Sequence, residues 1–156
     1  MTYPAEGTLA PDFTLDTDEG TPLTLSDLRG RPVVLFFYPK DDTPGCTVES
    51  CEFRDLMPRF QGVDAVILGI SPDDVKSHVK FKKKFDLPYS LLADVGHPVA
   101  DRYGVWQEKS MMGRKYMGNA RTTFVIDREG RIAKVFEKVK AEGHAAAVAD
   151  AVAALG

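Results

Sequence analysis

The run Val33-Val34-Leu35-Phe36-Phe37-Tyr38 contains no charged residue, and nothing else in this chain constrains the fold as tightly. A short apolar run rich in β-branched and aromatic residues suits a strand covered on both faces. A strand buried in that way needs neighbours. Val63 to Ile70 reads as a second central strand and Tyr89 to Ala93 as a third. Between them, Ser71-Pro72-Asp73-Asp74 reads as a helix start, with a hydroxyl cap, a proline at the first position and acids in the first turn. That helix is expected to run to about Phe85. Pro98 to Tyr103 predicts a short helix closed by Gly104. Strands alternating with helices argue an α/β sheet.

The remaining segments are placed around that sheet. Phe13-Thr14-Leu15 and Pro22-Leu23-Thr24-Leu25 predict an N-terminal hairpin around Asp18-Glu19-Gly20. Ser26-Asp27-Leu28 predicts a single helical turn ended by Gly30. Trp106 to Gly118, with Met111, Met112 and Met117, reads as a long loop. Thr122 to Asp127 and Ile132 to Val139 predict a hairpin around Arg128-Glu129-Gly130, which makes the sheet mixed rather than purely parallel. His144 to Leu155 predicts a docked C-terminal helix. With no repeat and no linker composition, residues 1–156 are expected to form one domain.

Composition removes several function classes. A net charge of −3 gives no electrostatic reason to expect nucleic acid or an anionic membrane as partner. The one basic cluster, Lys80-Phe81-Lys82-Lys83-Lys84, reads as the solvated face of a helix. No apolar stretch approaches the ~18 residues that span a bilayer, and Met1-Thr2-Tyr3-Pro4-Ala5-Glu6 lacks the features of a signal peptide. A cytoplasmic location is the expectation. The two cysteines are too few for a secreted disulfide scaffold, so they are either buried and inert or they do chemistry.

Those cysteines, Cys46 and Cys51, lie just past the apolar run, in Pro39-Lys40-Asp41-Asp42-Thr43-Pro44-Gly45-Cys46-Thr47-Val48-Glu49-Ser50-Cys51. Thr43 or a neighbour is placed to cap a helix, Pro44 suits its first turn, and Gly45 allows close approach to the backbone. A thiol in the first turn of a helix faces unpaired N–H groups and the positive end of the helix dipole, and both favour the nucleophilic thiolate. Phe53, Leu56, Met57 and Phe60 mark the core face of this helix, and Pro58 is expected to break or kink its far end.

In an intact helix, residues five apart differ by about 140° in direction and about 7.5 Å in height. Cys46 then sits at the mouth of the core and Cys51 points away. Their Cα atoms would lie about 8.6 Å apart, beyond the ~7 Å at which a disulfide closes without backbone movement. Thr47, Val48 and Ser50 are mediocre helix formers. The expectation is a two-state segment, helical with free thiols and unwound with a disulfide.

A thiolate at Cys46 needs a partner to hold its substrate. Arg121 begins the segment Arg121-Thr122-Thr123-Phe124-Val125-Ile126-Asp127, at the edge of the predicted strand, and is the leading candidate, because its guanidinium can face both a thiolate and a substrate oxygen. Thr43 offers a hydroxyl, the N–H groups of Gly45 and Cys46 complete a polar cradle, and Pro39 forms a dry wall. The implied substrate is small and carries a polarisable O–O or S–S bond.

The string Pro39-Lys-Asp-Asp-Thr43-Pro-Gly-Cys46 resembles the P-x-x-x-T-x-x-C active-site motif of the peroxiredoxins. The fuller string from Phe37 through Cys51 is similar to the bacterioferritin comigratory protein, or peroxiredoxin Q, branch. The likeness extends through Ala10-Pro11-Asp12-Phe13-Thr14-Leu15, Gly69-Ile70-Ser71, Val105-Trp106-Gln107-Glu108-Lys109 and Arg121-Thr122-Thr123-Phe124, and so covers nearly the whole chain. The resemblance implies a thioredoxin-like α/β fold and a thiol peroxidase acting on hydrogen peroxide and organic hydroperoxides, without a cofactor. It implies Cys46 as the peroxidatic cysteine and Cys51 as the resolving cysteine of an intramolecular disulfide. It implies Thr43 and Arg121 in peroxide binding, Pro39 as a shield, and thioredoxin or glutaredoxin as reductant. Relatives of this type are often monomers. Glu49 matches an acid that orients the arginine in related enzymes, and reads equally well as a surface helix residue.

Other readings are weaker. His78, His97 and His144 are scattered and make no spaced metal-ligand set with the cysteines. His78 is expected on an exposed helix face, and His144 is expected to cap or begin the last helix. Trp106 and the methionine loop read as packing and a mobile rim that would shape access for larger hydroperoxides. A general disulfide oxidoreductase would use Cys-x-x-Cys, which is absent. A non-catalytic redox sensor would use the same unwinding without recycling.

Overall fold

A computed structural model describes residues 3–155. Met1, Thr2 and Gly156 lie outside the described residues, and with them the first two residues of the N-terminal segment and both ends of the 1–156 domain expectation. The elements in chain order are β1 (Thr14–Thr17), β2 (Pro22–Thr24), a 3-10 turn (Leu25–Leu28), β3 (Val33–Phe37), α1 (Pro44–Asp55), α2 (Met57–Gly62), β4 (Val66–Ser71) and α3 (Val75–Phe85). They continue with β5 (Ser90–Ala93), α4 (Pro98–Arg102), β6 (Trp106–Met111), β7 (Arg114–Asn119), β8 (Thr122–Ile126), β9 (Ile132–Phe136) and α5 (His144–Ala153).

The apolar run became β3, buried at every position. It pairs in parallel with β4 and antiparallel with β8, inside a seven-stranded mixed sheet of order β2-β1-β5-β4-β3-β8-β9. Alternation along β3 divides the core into two layers. Val34, Phe36 and Tyr38 join Phe53, Phe60, Phe81 and Val148 on the side of α1, α2, α3 and α5. Val33, Leu35 and Phe37 join Tyr103, Val105 and Phe124 on the opposite side. Burying a side chain of this size is worth about 1.5–3 kcal/mol, so the strand alone anchors both layers. Phe36 stacks on Phe53 with ring centroids 4.6 Å apart. It also lies over β4 so closely that a Cβ at Gly69 would stand 2.8 Å from the ring, which explains a glycine within that strand.

Beyond shifts of a residue or two at element ends, the structure differs from the sequence reading at four places. The second strand starts at Val66 rather than Val63, because Val63 closes α2. Ser71 ends β4, and the N-cap of α3 is Asp74, whose carboxylate accepts from Ser77 N at 2.8 Å. The ninth strand ends at Phe136, short of Val139. The largest difference is 106–118. The segment is a β-hairpin, β6 with β7, outside the main sheet. Met112 and Gly113 both have positive φ, at 53° and 80°, and form the two-residue turn that matches strand twist. Most of the hairpin is solvated on both faces, which removed the apolar alternation that marks a strand.

Pro58 behaves as expected. α1 ends at Asp55 and α2 begins at Met57, with the proline in the first turn of the second helix. Among the described residues no helix is long and apolar enough to cross a membrane.

Candidate active site

Register places the site. Phe37 of β3 stands opposite Thr122 of β8, so the residues just beyond, Tyr38-Pro39 and Arg121, leave the sheet side by side. Asn119 ties the two ends together by donating from Nδ2 to the Tyr38 carbonyl at 3.2 Å. The chain then turns through Asp42, at φ 58°, and enters α1 at Pro44.

Cys46 is the third residue of α1 and only 1% exposed. The first bond of this helix runs from Thr47 N to the Thr43 carbonyl at 2.8 Å. The N–H groups of Gly45 and Cys46 precede it and point out of the helix end. Arg121 reaches over that end. Its Nη2 donates to Cys46 Sγ at 3.4 Å, and its Nη1 donates to Glu49 Oε1 at 2.7 Å. A Cβ at position 45 would lie 3.0 Å from Arg121 Nη2, so glycine is what lets the guanidinium settle there. Thr43 occupies the N-cap position without capping. Its hydroxyl donates to the Lys40 carbonyl at 2.9 Å, which commits the proton and leaves the lone pairs to accept.

Glu49 lies one turn beyond Cys46 and is 0% exposed, which removes the surface-residue alternative. Burial pushes its carboxyl up to about 7 against the opposing pull of Arg121, with Glu52 adding to the rise. Its Oε2 has no hydrogen-bond partner among the described residues. The nearest cationic candidate is His144 Nε2 at 3.9 Å, and that nitrogen is bonded to Thr123 Oγ1 at 2.7 Å. Burial and the Arg121 charge lower His144 to about 4, so it stands neutral beside the acid.

Cys51 is partly exposed and is a free thiol, as is Cys46. Burial raises the Cys51 thiol above its ordinary value, Arg54 opposes this, and Asp55 adds to it. Pro39, Thr43, Trp106, Met111, Met117 and Arg121 line a groove of about 600 Å³ beside the cysteine. Trp106 is fixed there by stacking on His97, with centroids 3.8 Å apart.

The structure therefore brings together Pro39, Thr43, Gly45, Cys46, Glu49 and Arg121, and sets Cys51 apart on the same helix. It corrects one assignment outright. His78 is not on an exposed face; it is 0% exposed and bonded to Asp41. Lys109 was passed over. It donates to the Asn119 carbonyl at 2.9 Å, and burial followed by the Arg121 charge lowers its ammonium. His144 as a neighbour of Glu49, and Thr123 as the partner of His144, were also missed, since nothing in sequence spacing joins residues so far apart.

A mixed sheet of this topology, carrying a buried cysteine at a helix start under an arginine, defines a thioredoxin-like thiol peroxidase. Residues 7–135 match the AhpC/TSA family. The chain is 50% identical to peroxiredoxin Bcp of Bacillus subtilis over 140 residues, covering 90% of this chain and 89% of the relative. It is similar to the solved bacterioferritin comigratory protein of Xanthomonas campestris, a structure concerned with alkyl peroxide reduction, at 39% identity and a TM-score of 0.86, covering 91% and 90%. It is similar to a solved Xylella fastidiosa PrxQ variant at 34% identity and a TM-score of 0.93, covering 99% and 98%. The chain belongs to the AhpC/TSA family and is a peroxiredoxin.

Proposed function

We propose that this peroxidase reduces hydrogen peroxide and organic hydroperoxides by a two-cysteine cycle within one chain, and is recycled by thioredoxin or glutaredoxin. The observation that carries the reading is the 3.4 Å contact between Arg121 Nη2 and Cys46 Sγ at the open end of α1. The Cys46 thiolate attacks the terminal oxygen of the peroxide. The O–O bond breaks, the alkoxide leaves and takes a proton, and Cys46 becomes a sulfenic acid. Arg121 and the N–H groups of Gly45 and Cys46 face the oxygen on which charge develops. Thr43 accepts from the peroxide O–H, Glu49 holds the guanidinium in place, and Pro39 walls the groove.

Cys51 then attacks the Cys46 sulfur. A disulfide forms and water leaves. The two residues are five apart on one helix, which puts their Cα atoms about 8.6 Å apart, so the start of α1 must unwind first. Two thiols of the reductant regenerate the dithiol. An intramolecular bond needs no second subunit, so the whole chain acts as a monomeric single domain, in the reducing cytoplasm where such a reductant is available. Alkyl hydroperoxides fit the apolar groove formed by Trp106, Met111 and Met117, in keeping with the Xanthomonas relative.

The test is one equivalent of hydrogen peroxide added to reduced protein, read by thiol titration and intact mass without reductant. Loss of both thiols within a monomer, with the mass of two hydrogens gone, supports the cycle. A gained oxygen with Cys51 still free would overturn the intramolecular step. Cys46→Ser should abolish peroxide consumption. Cys51→Ser should react once and then fail to turn over with thioredoxin.

A further inference from the structure

Asp41 stands two residues after Pro39 and two before Thr43, in the middle of the loop that rims the site. Its side chain accepts from Tyr38 Oη at 2.6 Å on one oxygen, and from Ser77 Oγ at 2.8 Å and His78 Nδ1 at 2.7 Å on the other. Three donors on two oxygens is the pattern of an ionised, acceptor-only carboxylate. Its backbone N–H is used too, donating to Asp73 Oδ2 at 2.8 Å, and that oxygen also accepts from Ser71 Oγ at 2.6 Å. One residue thus ties the loop to β3, to the β4–α3 turn and to α3.

The far side of the histidine is as definite. His78 Nε2 lies 2.9 Å from the Leu92 carbonyl of β5. A backbone carbonyl can only accept, and so can a carboxylate. A neutral imidazole carries one N–H. Both ring nitrogens face acceptors at hydrogen-bond distance, and the ring is 0% exposed, so solvent cannot stand in for a missing proton. Only an imidazolium satisfies both contacts.

We propose that His78 is a buried cationic positioning residue for the peroxide reaction, clamping Asp41 and through it the Pro39–Thr43 loop against Cys46. The proposal rests on reading that loop as the peroxide-binding rim. The surrounding charges agree with it. Asp73 adds a second negative charge on the loop side, while Tyr38 and Ser77 are neutral donors. The cations further along α3 are turned elsewhere, Lys82 to Asp18 and Lys84 to Asp42. Beyond β5, Asp94 is occupied by the Val99 and Ala100 N–H groups of α4. Burial works against the charge on His78, but the Asp41 hydrogen bond and charge outweigh it, with Leu92 and Asp73 contributing, and the ring's affinity for its proton is raised.

The sign of the pH effect follows. A group whose folded value is raised gives stability that is fully present below its unfolded value, about 6.5 for histidine, and lost as pH rises through the folded one. Above that point either Asp41 or the Leu92 carbonyl loses its donor and the loop is held by fewer bonds. Peroxide attack on Cys46 should decline on the alkaline side together with the His78 proton.

The experiment pairs imidazole nitrogen NMR of the reduced wild-type protein with the pH profile of Cys46 oxidation, for wild type and His78→Gln. The expected result is two ring N–H groups on His78 at neutral pH. The wild-type rate should fall along the His78 titration. His78→Gln should lose that decline and run about tenfold to a hundredfold slower at neutral pH, the scale of a small misplacement of reacting groups. A singly protonated His78 at neutral pH would overturn the proposal, as would an alkaline decline that survives unchanged in His78→Gln. Should that variant not fold, a wild-type rate that stays flat through the His78 titration overturns it equally. A protein that consumed no peroxide would overturn the peroxidase reading and the positioning role together, while leaving the doubly protonated ring observable.

Discussion

Two buried acids flank Cys46, and they are held in opposite ways. Asp41 has three side-chain donors on its carboxylate and a fourth bond at its backbone. Glu49 has Arg121 on one oxygen and, among the described residues, no hydrogen-bond partner on the other. A fully bonded buried acid fixes its surroundings, whereas a half-bonded one leaves desolvation partly uncompensated. The difference follows the work of the two segments. In the proposed cycle the Asp41 loop stays in place while peroxide binds. Glu49 lies between Cys46 and Cys51, in the stretch that the proposed disulfide cycle requires to unwind, which would return its carboxyl to water.

That contrast can be broken at several points. The largest stability effect should come from Asp41→Ala, which strands a buried cation. A loss of about 3–5 kcal/mol in urea unfolding is expected. Arg121→Ala should do the reverse, costing rate more than fold. Losing one donor to the developing oxyanion lowers attack by roughly 10²–10³, measured as peroxide-dependent thiol loss, while Glu49 responds by keeping its proton.

A third effect concerns pH. The Glu49 value is raised to about 7, so its stabilising share is fully present below the unfolded value of about 4.3 and is lost as pH rises through about 7. Amide exchange over residues 46–51, compared at matched pH with Glu49→Gln, should show the wild-type helix start opening more readily across that window. Equal protection in both proteins would remove Glu49 from the unwinding step. The smallest effect should come from Ser77→Ala, which deletes one of the three Asp41 donors and should cost about 1 kcal/mol by the same urea titration.

The residues proposed to touch the peroxide were legible because they are local. Pro39, Thr43, Gly45 and Cys46 fall within eight residues, and Arg121 opens a strand whose apolar pattern is unmistakable. What escaped depends on distant partners. His78 was assigned to a solvated face, yet His78, Phe81 and Phe85 share the inward stripe of α3, at a spacing that reads as core. The partner that turns this histidine from a core filler into a clamp is 37 residues away. The 106–119 hairpin escaped for another reason. It covers the groove with only a few side chains and exposes the rest, Met112 by 97%, so its strands lack the alternation that marks a sheet face. The signal that remained was the Met112-Gly113 turn.

The separation of 75 positions between Cys46 and Arg121 has a consequence for biosynthesis. A growing chain exposes the cysteine long before the arginine leaves the ribosome, and β3 acquires its β8 neighbour only then. The nascent polypeptide therefore carries a thiol without its guanidinium, its oxyanion partner or its buried setting. The Cys46–Arg121 pairing can form only once β8, the last inner strand of the sheet, is laid down.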